Sequence, residues 1–364
     1  MSQYEARAER VDGLLAGQGL DLMLVTNLVN VRYLCGFSGT NGICLVGPQT
    51  RVFVTDFRYA ERAGSGEVPD YDVVQGERDL LGDVARLAQE RVRDGALRLG
   101  FEDDEISVSR HARLLSLLPE PVELVPAGGL VQRLRRAKDV EELARMRRAA
   151  ALADDVYRWL IDEHGLAGHT ERAVARALER RAEDSGADRV SFSPIVAAAA
   201  NGALPHAEPE EVEIARGTLV VVDLGCLLDG YCSDCTRTFA TGPLDSETLD
   251  AYELVRGAQA ASVKAVRAGE QARTVDAAAR EPIAAAGLAK QFGHGTGHGV
   301  GLEVHEAPRL APSSDDVLEE SNCVTIEPGV YLPGRFGVRI EDLVVVNPDG
   351  CDVMTSIARE LITV

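Results

Sequence analysis

The chain contains no apolar run that approaches the roughly 18–20 residues of a membrane span. Its first residues, Met1-Ser2-Gln3-Tyr4-Glu5-Ala6-Arg7, are polar and charged, with no apolar segment of the kind a secretory signal needs. A basic excess is also missing: 58 Asp and Glu against 38 Lys and Arg leave a formal net charge of −20. Phosphate backbones are bound by basic faces, so a nucleic-acid partner is not expected. Most of the acidity is expected to serve solubility. The sharper alternative is that a few carboxylates converge on cations, and spacing must separate the two. A disulfide framework is lacking too. The seven Cys, at 35, 44, 226, 232, 235, 323 and 351, are an odd number in a long chain that is not expected to be secreted. Cys232-Ser-Asp-Cys235 has C-x-x-C spacing but no second ligand pair for zinc. It also lacks the strand-then-helix setting of a redox motif, so these thiols are expected to pack as small apolar side chains. A cytoplasmic enzyme fits these absences.

A length of 364 residues suggests two domains, because single cores stop growing at roughly 250–300 residues. Residues 4–18 read as an amphipathic helix with Val11, Leu14 and Leu15 on one face, stopped by Gly17-Gln-Gly19. Strands are expected at 22–25, 42–46, 51–55 and 97–100, with a turn at Gly47-Pro48-Gln49 and a helix at 80–93. Strands alternating with helices give an α/β domain over residues 1–128. After Pro126-Ala-Gly-Gly129 comes a basic cluster, Arg133, Arg135, Arg136 and Lys138, expected to form solvated helix ends. Helices follow at 139–164, with Asp139 and Glu142 spaced as a capping box, and at 170–185. Short β-branched runs at 218–224, 235–240, 323–326 and 338–346 then surround helices at 247–267 and 274–287. Residues 129–364 are therefore expected to be α+β with an antiparallel sheet.

Chemistry concentrates in this second part. Asp223 ends a Val run, although strands deplete Asp. Asp229-Gly230 signals a two-residue hairpin turn, which sets residue 225 opposite 234. Residue 223 shares the face of 225, so Asp223 and Asp234 are expected to point the same way from adjacent strands. A loop at Pro333-Gly334-Arg335 would likewise set Glu327 opposite Glu341. Carboxylates so close repel unless a proton or cation lies between them. Between the hairpins runs the glycine-dominated segment Gly293-His-Gly-Thr-Gly-His298-Gly-Val-Gly301, which matches neither phosphate-loop pattern. Of only seven His, four fall near these motifs: His206, His294, His298 and His305. Four carboxylates and an imidazole make an oxygen-rich donor set suited to Mn²⁺, with Co²⁺, Fe²⁺ or Zn²⁺ as alternatives. Five ligands exceed the need of one open catalytic metal, so two divalent metals and metal-assisted hydrolysis are expected.

The motifs Asp223-Leu-Gly, Tyr231-Cys-Ser-Asp234-Cys-Thr-Arg237, His294-Gly-Thr-Gly-His298, Val304-His305-Glu306, Glu327-Pro-Gly and Arg339-Ile-Glu341 follow a familiar order. In that order they resemble the pita-bread metallopeptidases, a family that includes aminopeptidase P, prolidase, methionine aminopeptidase and creatinase. Asn30-Val-Arg-Tyr33-Leu-Cys-Gly-Phe37-Ser-Gly resembles the creatinase-like N-terminal domain of the Xaa-Pro enzymes. The resemblance implies a creatinase-like domain at 1–128 and, at 129–364, a pita-bread domain with a curved antiparallel sheet. It implies that Asp223 binds one metal, that His298 and Glu327 bind the other, and that Asp234 and Glu341 bridge. Glu327 would also shuttle the proton, and His206 and His305 would stabilise the substrate carbonyl. His294 would line the proline pocket, with Arg339 and Tyr331 close to substrate. One departure is Ala197-Ala-Ala-Ala200 before Asn201, where the family more often has Ser, Gly or Pro. The implied activity is Xaa-Pro aminopeptidase, with prolidase or a non-catalytic binding module as alternatives. The implied partners are proline-containing peptides and a second copy in a homodimer.

Overall fold

The computed structural model describes residues 2–92 and 95–364. The chain divides into two compact units, Met1–Arg135 and Arg136–Val364.

The first unit is built on a six-stranded mixed sheet. Its order is Asp72–Gln75, Thr50–Thr55, Gly42–Gly47, Leu22–Val25, Leu97–Phe101 and Val122–Pro126. The two pairings among strands 22–55 are antiparallel and the outer ones are parallel. Pro48 and Gln49 make the predicted turn, Gln49 in the left-handed region at φ 61°. Leu24, Ile43, Leu45, Val54 and Leu99 fill the core with Val84 of the helix Leu81–Gln89. The expected end of that helix at residue 93 lies outside the described residues. The first helix, Gln3–Gln18, continues through Gly17. It closes on Gly19, whose φ of 64° frees its N–H to reach the carbonyls of Leu15 and Ala16.

The basic cluster differs from expectation. Arg133 is exposed, but Arg135 and Lys138 are buried at 2% and 4% exposure. Arg135 donates to Asn30 Oδ1 at 2.8 Å, and Lys138 Nζ lies 3.3 Å from Glu306 Oε2. Cations enter an interior only with such partners, which local charge spacing does not reveal.

In the second unit the helix Val140–Trp159 opens on the predicted capping box between Asp139 and Glu142. The helix Glu171–Asp184 is capped by Thr170. Every strand pairing here is antiparallel. Tyr157, Val174, Leu178, Val220, Val222 and Phe239 form one core, so the helices lie directly behind the Val run that ends at Asp223.

Two interrupted hairpins position the site. In the first, Leu228 faces Tyr231 across Asp229 and Gly230, both at positive φ (51° and 84°). The same alignment resumes beyond a gap, where Asp223 faces Thr236. In the second, Gly329 faces Arg339, and beyond a gap Ile326 faces Asp342. Glu327 and Glu341 therefore lie opposite each other in the gap. The expected continuous strand at 338–346 is instead two strands, Phe336–Arg339 and Asp342–Asn347. The break has a clear cause. The Glu341 N–H donates to the Thr236 carbonyl at 3.0 Å and the Glu327 N–H to the Thr296 carbonyl at 2.8 Å. Each acid-bearing residue thus ties its hairpin to a neighbouring segment.

The cysteines are free; six are buried and Cys351 is half-buried. Burial pushes the Cys232 thiol up to about 11 and those of Cys226 and Cys323 to about 12, so they pack as apolar groups at neutral pH.

Candidate metal centre

His298 lies in the short strand Gly297–Gly299. Its Nδ1 is 3.0 Å from the Gly299 carbonyl, which assigns the Nδ1 proton to that bond and leaves Nε2 free for the site. Nε2 lies 3.3 Å from Glu327 Oε1 and 3.8 Å from Asp234 Oδ2. Ligand atoms of Asp234, His298 and Glu341 all fall within 4.8 Å of one another, the spacing of a metal-binding cluster. No other such group occurs among the described residues. Asp223 stands beside them, with Oδ2 accepting from Arg339 Nη2 at 2.8 Å.

The electrostatics are those of a site that needs cations. Burial, then repulsion from Glu341 and Asp223, holds the Asp234 carboxyl well above the usual carboxylate range. Burial, then Glu327 and Asp223, does the same to Glu341. Burial also raises Asp223, against the opposing pull of Arg339. Burial opposes ionisation of Glu327 as well, but the His298 hydrogen bond and charge outweigh it and hold the carboxyl at about 2. His298 shifts upward because Glu327 outweighs the burial that disfavours its cation. Asp223 Oδ1 is buried with no hydrogen-bond partner. An orphaned carboxylate oxygen among mutually repelling acids is the condition that bound divalent cations relieve, so the donor set fits metals.

The remaining predicted residues surround this cluster. His305 is exposed and packs edge-on against His298, ring centroids 4.4 Å apart. His294 donates Nδ1–H to the Gly295 carbonyl at 2.7 Å, and its Nε2 accepts from the Tyr331 hydroxyl at 3.0 Å. Phe292 meets the His294 ring edge-on at 5.1 Å, so three rings form one wall. Arg339 is buried at 3% exposure and donates to Asp223, Thr236, Tyr331 and the Pro205 carbonyl. It supports the wall and the carboxylate from behind. His206 is exposed, close enough for its charge to bear on both His294 and His305.

Three supports escaped the sequence. Thr236 donates to Glu341 Oε2 at 2.7 Å, and Thr325 donates to Glu327 Oε1 at 3.1 Å. Asp276, buried in the helix Ala272–Ala285, accepts from Thr296 N at 3.0 Å and pairs with Arg280 at 2.8 Å. Arg280 in turn donates to the His294 and Phe292 carbonyls, so this pair fixes the start of the glycine-rich segment. Only the strand register, which sets Thr236 opposite Asp223, offered a signal for any of the three.

Residues 144–348 match the model of metallopeptidase family M24, and residues 7–137 match the creatinase/prolidase N-terminal domain. The chain belongs to metallopeptidase family M24. This M24 chain is 37% identical to a solved Xaa-Pro dipeptidase from Bacillus anthracis, with a TM-score of 0.94 over 99% of this chain and 100% of that one. An X-Pro aminopeptidase from Thermotoga maritima is 30% identical at a TM-score of 0.89, over 98% and 100% of the two chains. The Xaa-Pro dipeptidase of Pyrococcus furiosus is 32% identical over 98% of this chain and 99% of its own length. The peptidase thus has the two-domain architecture of its family and a cluster suited to a metal cofactor. No helix among the described residues is long and apolar enough to cross a membrane.

Glycine is required in the M24 site at Gly297, where a Cβ would lie 1.9 Å from the Thr325 carbonyl oxygen. Gly297→Ala must push apart the strands that carry His298 and Glu327. We expect a loss of about 1–3 kcal/mol in stability and a lower Mn²⁺ stoichiometry. Chemical denaturation and metal analysis read both, and full metal content in a normally stable variant would contradict the close approach.

Proposed function

We propose that this chain is a metal-dependent Xaa-Pro peptidase that hydrolyses the bond between an N-terminal residue and a following proline. The observation that carries it is the buried cluster of Asp234, His298 and Glu341 in a chain of metallopeptidase family M24. Names of relatives supply the proline specificity: Xaa-Pro dipeptidase in Bacillus anthracis and Pyrococcus furiosus, X-Pro aminopeptidase in Thermotoga maritima. In this proposal two divalent metals, Mn²⁺ by preference, are held by Asp223, Asp234, His298, Glu327 and Glu341. When bound they supply Lewis-acid polarisation of the scissile carbonyl and acidify the attacking water.

The side chains do the rest. Glu327 takes the proton that water loses as its oxygen joins the carbonyl carbon. It returns that proton to the prolyl nitrogen as the C–N bond breaks. His305 and His206 donate to the carbonyl oxygen as it gains charge. The shift of His305 toward its neutral form, caused by loss of solvent on the side packed against the site and then by His298, leaves it a donor that adds no net charge beside the metals. His294 and Tyr331, backed by Phe292 edge-on to the imidazole, provide apolar ring surface for the proline ring, and Arg339 holds Tyr331 in place. The assembly proposed is a homodimer, which sedimentation would read directly.

The relatives carry both the dipeptidase and the aminopeptidase names, so the second reading is a prolidase restricted to Xaa-Pro dipeptides. Mn²⁺-loaded protein should be assayed on an Xaa-Pro dipeptide and on an Xaa-Pro-Xaa tripeptide. We expect release of the N-terminal residue from the tripeptide. Cleavage of the dipeptide alone would replace aminopeptidase by prolidase, and cleavage of neither would defeat the proposal.

A further inference from the structure

We infer that Glu171 is a positioning residue for the reaction: its buried carboxylate holds the segment 198–210 so that His206 is presented to the site. The inference rests on the role proposed above for His206.

Glu171 is the first residue of the helix Glu171–Asp184 and is only 1% exposed. An acid at a helix start ordinarily serves its own helix. Here Thr170 does the capping, accepting from Ala173 N at 3.2 Å. The contacts of Glu171 lead elsewhere. Oε1 accepts from Ala198 N at 2.6 Å; Oε2 accepts from Asn201 Nδ2 at 2.7 Å and from Glu210 N at 2.9 Å. One carboxylate therefore ties the beginning, the first turn and the end of the excursion that carries Leu204, Pro205 and His206.

That excursion needs holding. Ala199 is left-handed at φ 47°, a conformation that costs a residue with a Cβ roughly 1–2 kcal/mol. On the side of the site, Arg339 Nη1 donates to the Pro205 carbonyl at 2.9 Å. Gly337 also lets the Gly202 carbonyl come so close that a Cβ would lie 1.9 Å from it. The segment is thus gripped between Glu171 on one side and the residues of the metal centre on the other. His206, exposed at the turn that follows Pro205, takes its place from that grip. A carboxylate suits the task because both oxygens only accept. A Gln would turn an NH₂ group toward the donors on one side and leave buried N–H groups unpaired.

The test is a double-mutant cycle on Mn²⁺-loaded full-length protein with an Xaa-Pro substrate: Glu171→Gln, His206→Ala and the pair. Amide hydrogen exchange of segment 198–210 and Mn²⁺ stoichiometry are measured alongside. Glu171→Gln is expected to lower kcat/KM by up to about 10²-fold, the scale of a catalytic group misplaced by about 1 Å. The same substitution is expected to change kcat/KM less than about two-fold once His206 is Ala, because effects that act through one group do not add. Exchange at Ala198 and Glu210 should rise while Mn²⁺ stoichiometry holds. Asn201→Ala removes one donor and leaves the buried charge in place, so it should reproduce the non-additivity on a smaller scale even if Glu171→Gln folds poorly. Equal losses in both backgrounds, or unchanged exchange in segment 198–210, would overturn the inference. A wild-type chain without Xaa-Pro turnover would defeat the peptidase proposal instead, and the exchange measurement would still judge the hold of Glu171 on the segment.

Discussion

Glu327→Gln should lower kcat/KM on an Xaa-Pro peptide by about 10²–10⁴-fold, the usual contribution of a positioned acid–base group. Gln keeps the shape of the side chain and its acceptor for the Thr325 hydroxyl, 3.1 Å away. It removes the charge that faces His298 Nε2 at 3.3 Å and the carboxylate oxygen proposed to take the proton. Glu327 directly follows the strand Cys323–Ile326, and its own N–H is bonded to the Thr296 carbonyl, so the backbone is fixed whatever the side chain. The loss should therefore appear in kcat with the fold intact by circular dichroism. A Glu327→Gln enzyme that binds Mn²⁺ and works within ten-fold of wild type would assign the proton transfer to another group.

Stripping the metal should reduce turnover to background and leave a chain whose stability depends on pH in a definite direction. Asp234, Glu341 and Asp223 are raised above their ordinary values of 3.8 and 4.5 by burial and mutual repulsion. The folded chain then binds more protons than the unfolded one, so stability falls as pH climbs from that range toward the raised values. His298, raised from 6.5, adds the same sign above neutrality. Glu327, held at about 2, contributes the opposite sign: its stabilisation is full above 4.5 and is lost only as pH drops toward 2. Metal uptake must displace the protons on the raised groups, so affinity should rise with pH. The shift in melting temperature produced by a fixed Mn²⁺ concentration should grow between about pH 5 and 8. Free metal at about 100 times Kd would add about 2.7 kcal/mol. Comparison with and without Mn²⁺ at each pH isolates the site from other titrating groups. A shift that shrinks with rising pH would mean that the acids are ionised in the metal-free fold.

Much of the site was legible because strands translate spacing into facing. Asp229-Gly230 dictated a two-residue turn, and the turn dictated the alignment that sets Asp223 opposite Thr236 and, past the gap, residue 225 opposite 234. The loop at 333–335 did the same for Glu327 and Glu341. What spacing missed was burial of charge. Arg135 and Lys138 look like surface residues in the sequence, and the break at Ile340 and Glu341 is invisible in an unbroken β-branched run. Both depend on partners more than a hundred residues away, Asn30 for Arg135 and Thr236 for Glu341.

The sequence by itself determined the two carboxylate pairs, the glycine-rich segment that carries His298 between them along the chain, and the helix caps. Each rests on a turn, a cap or a strand alternation within a few residues. Only the tertiary structure decided how these pieces are held: Thr236 and Thr325 on the acids, Arg339 behind Asp223 and Tyr331, Asp276 with Arg280 under the glycines, and Glu171 on the segment of His206. The reason is physical. A hydrogen bond to a buried charge is chosen by which distant segments fold against each other, and the local pattern of the chain holds no record of that choice.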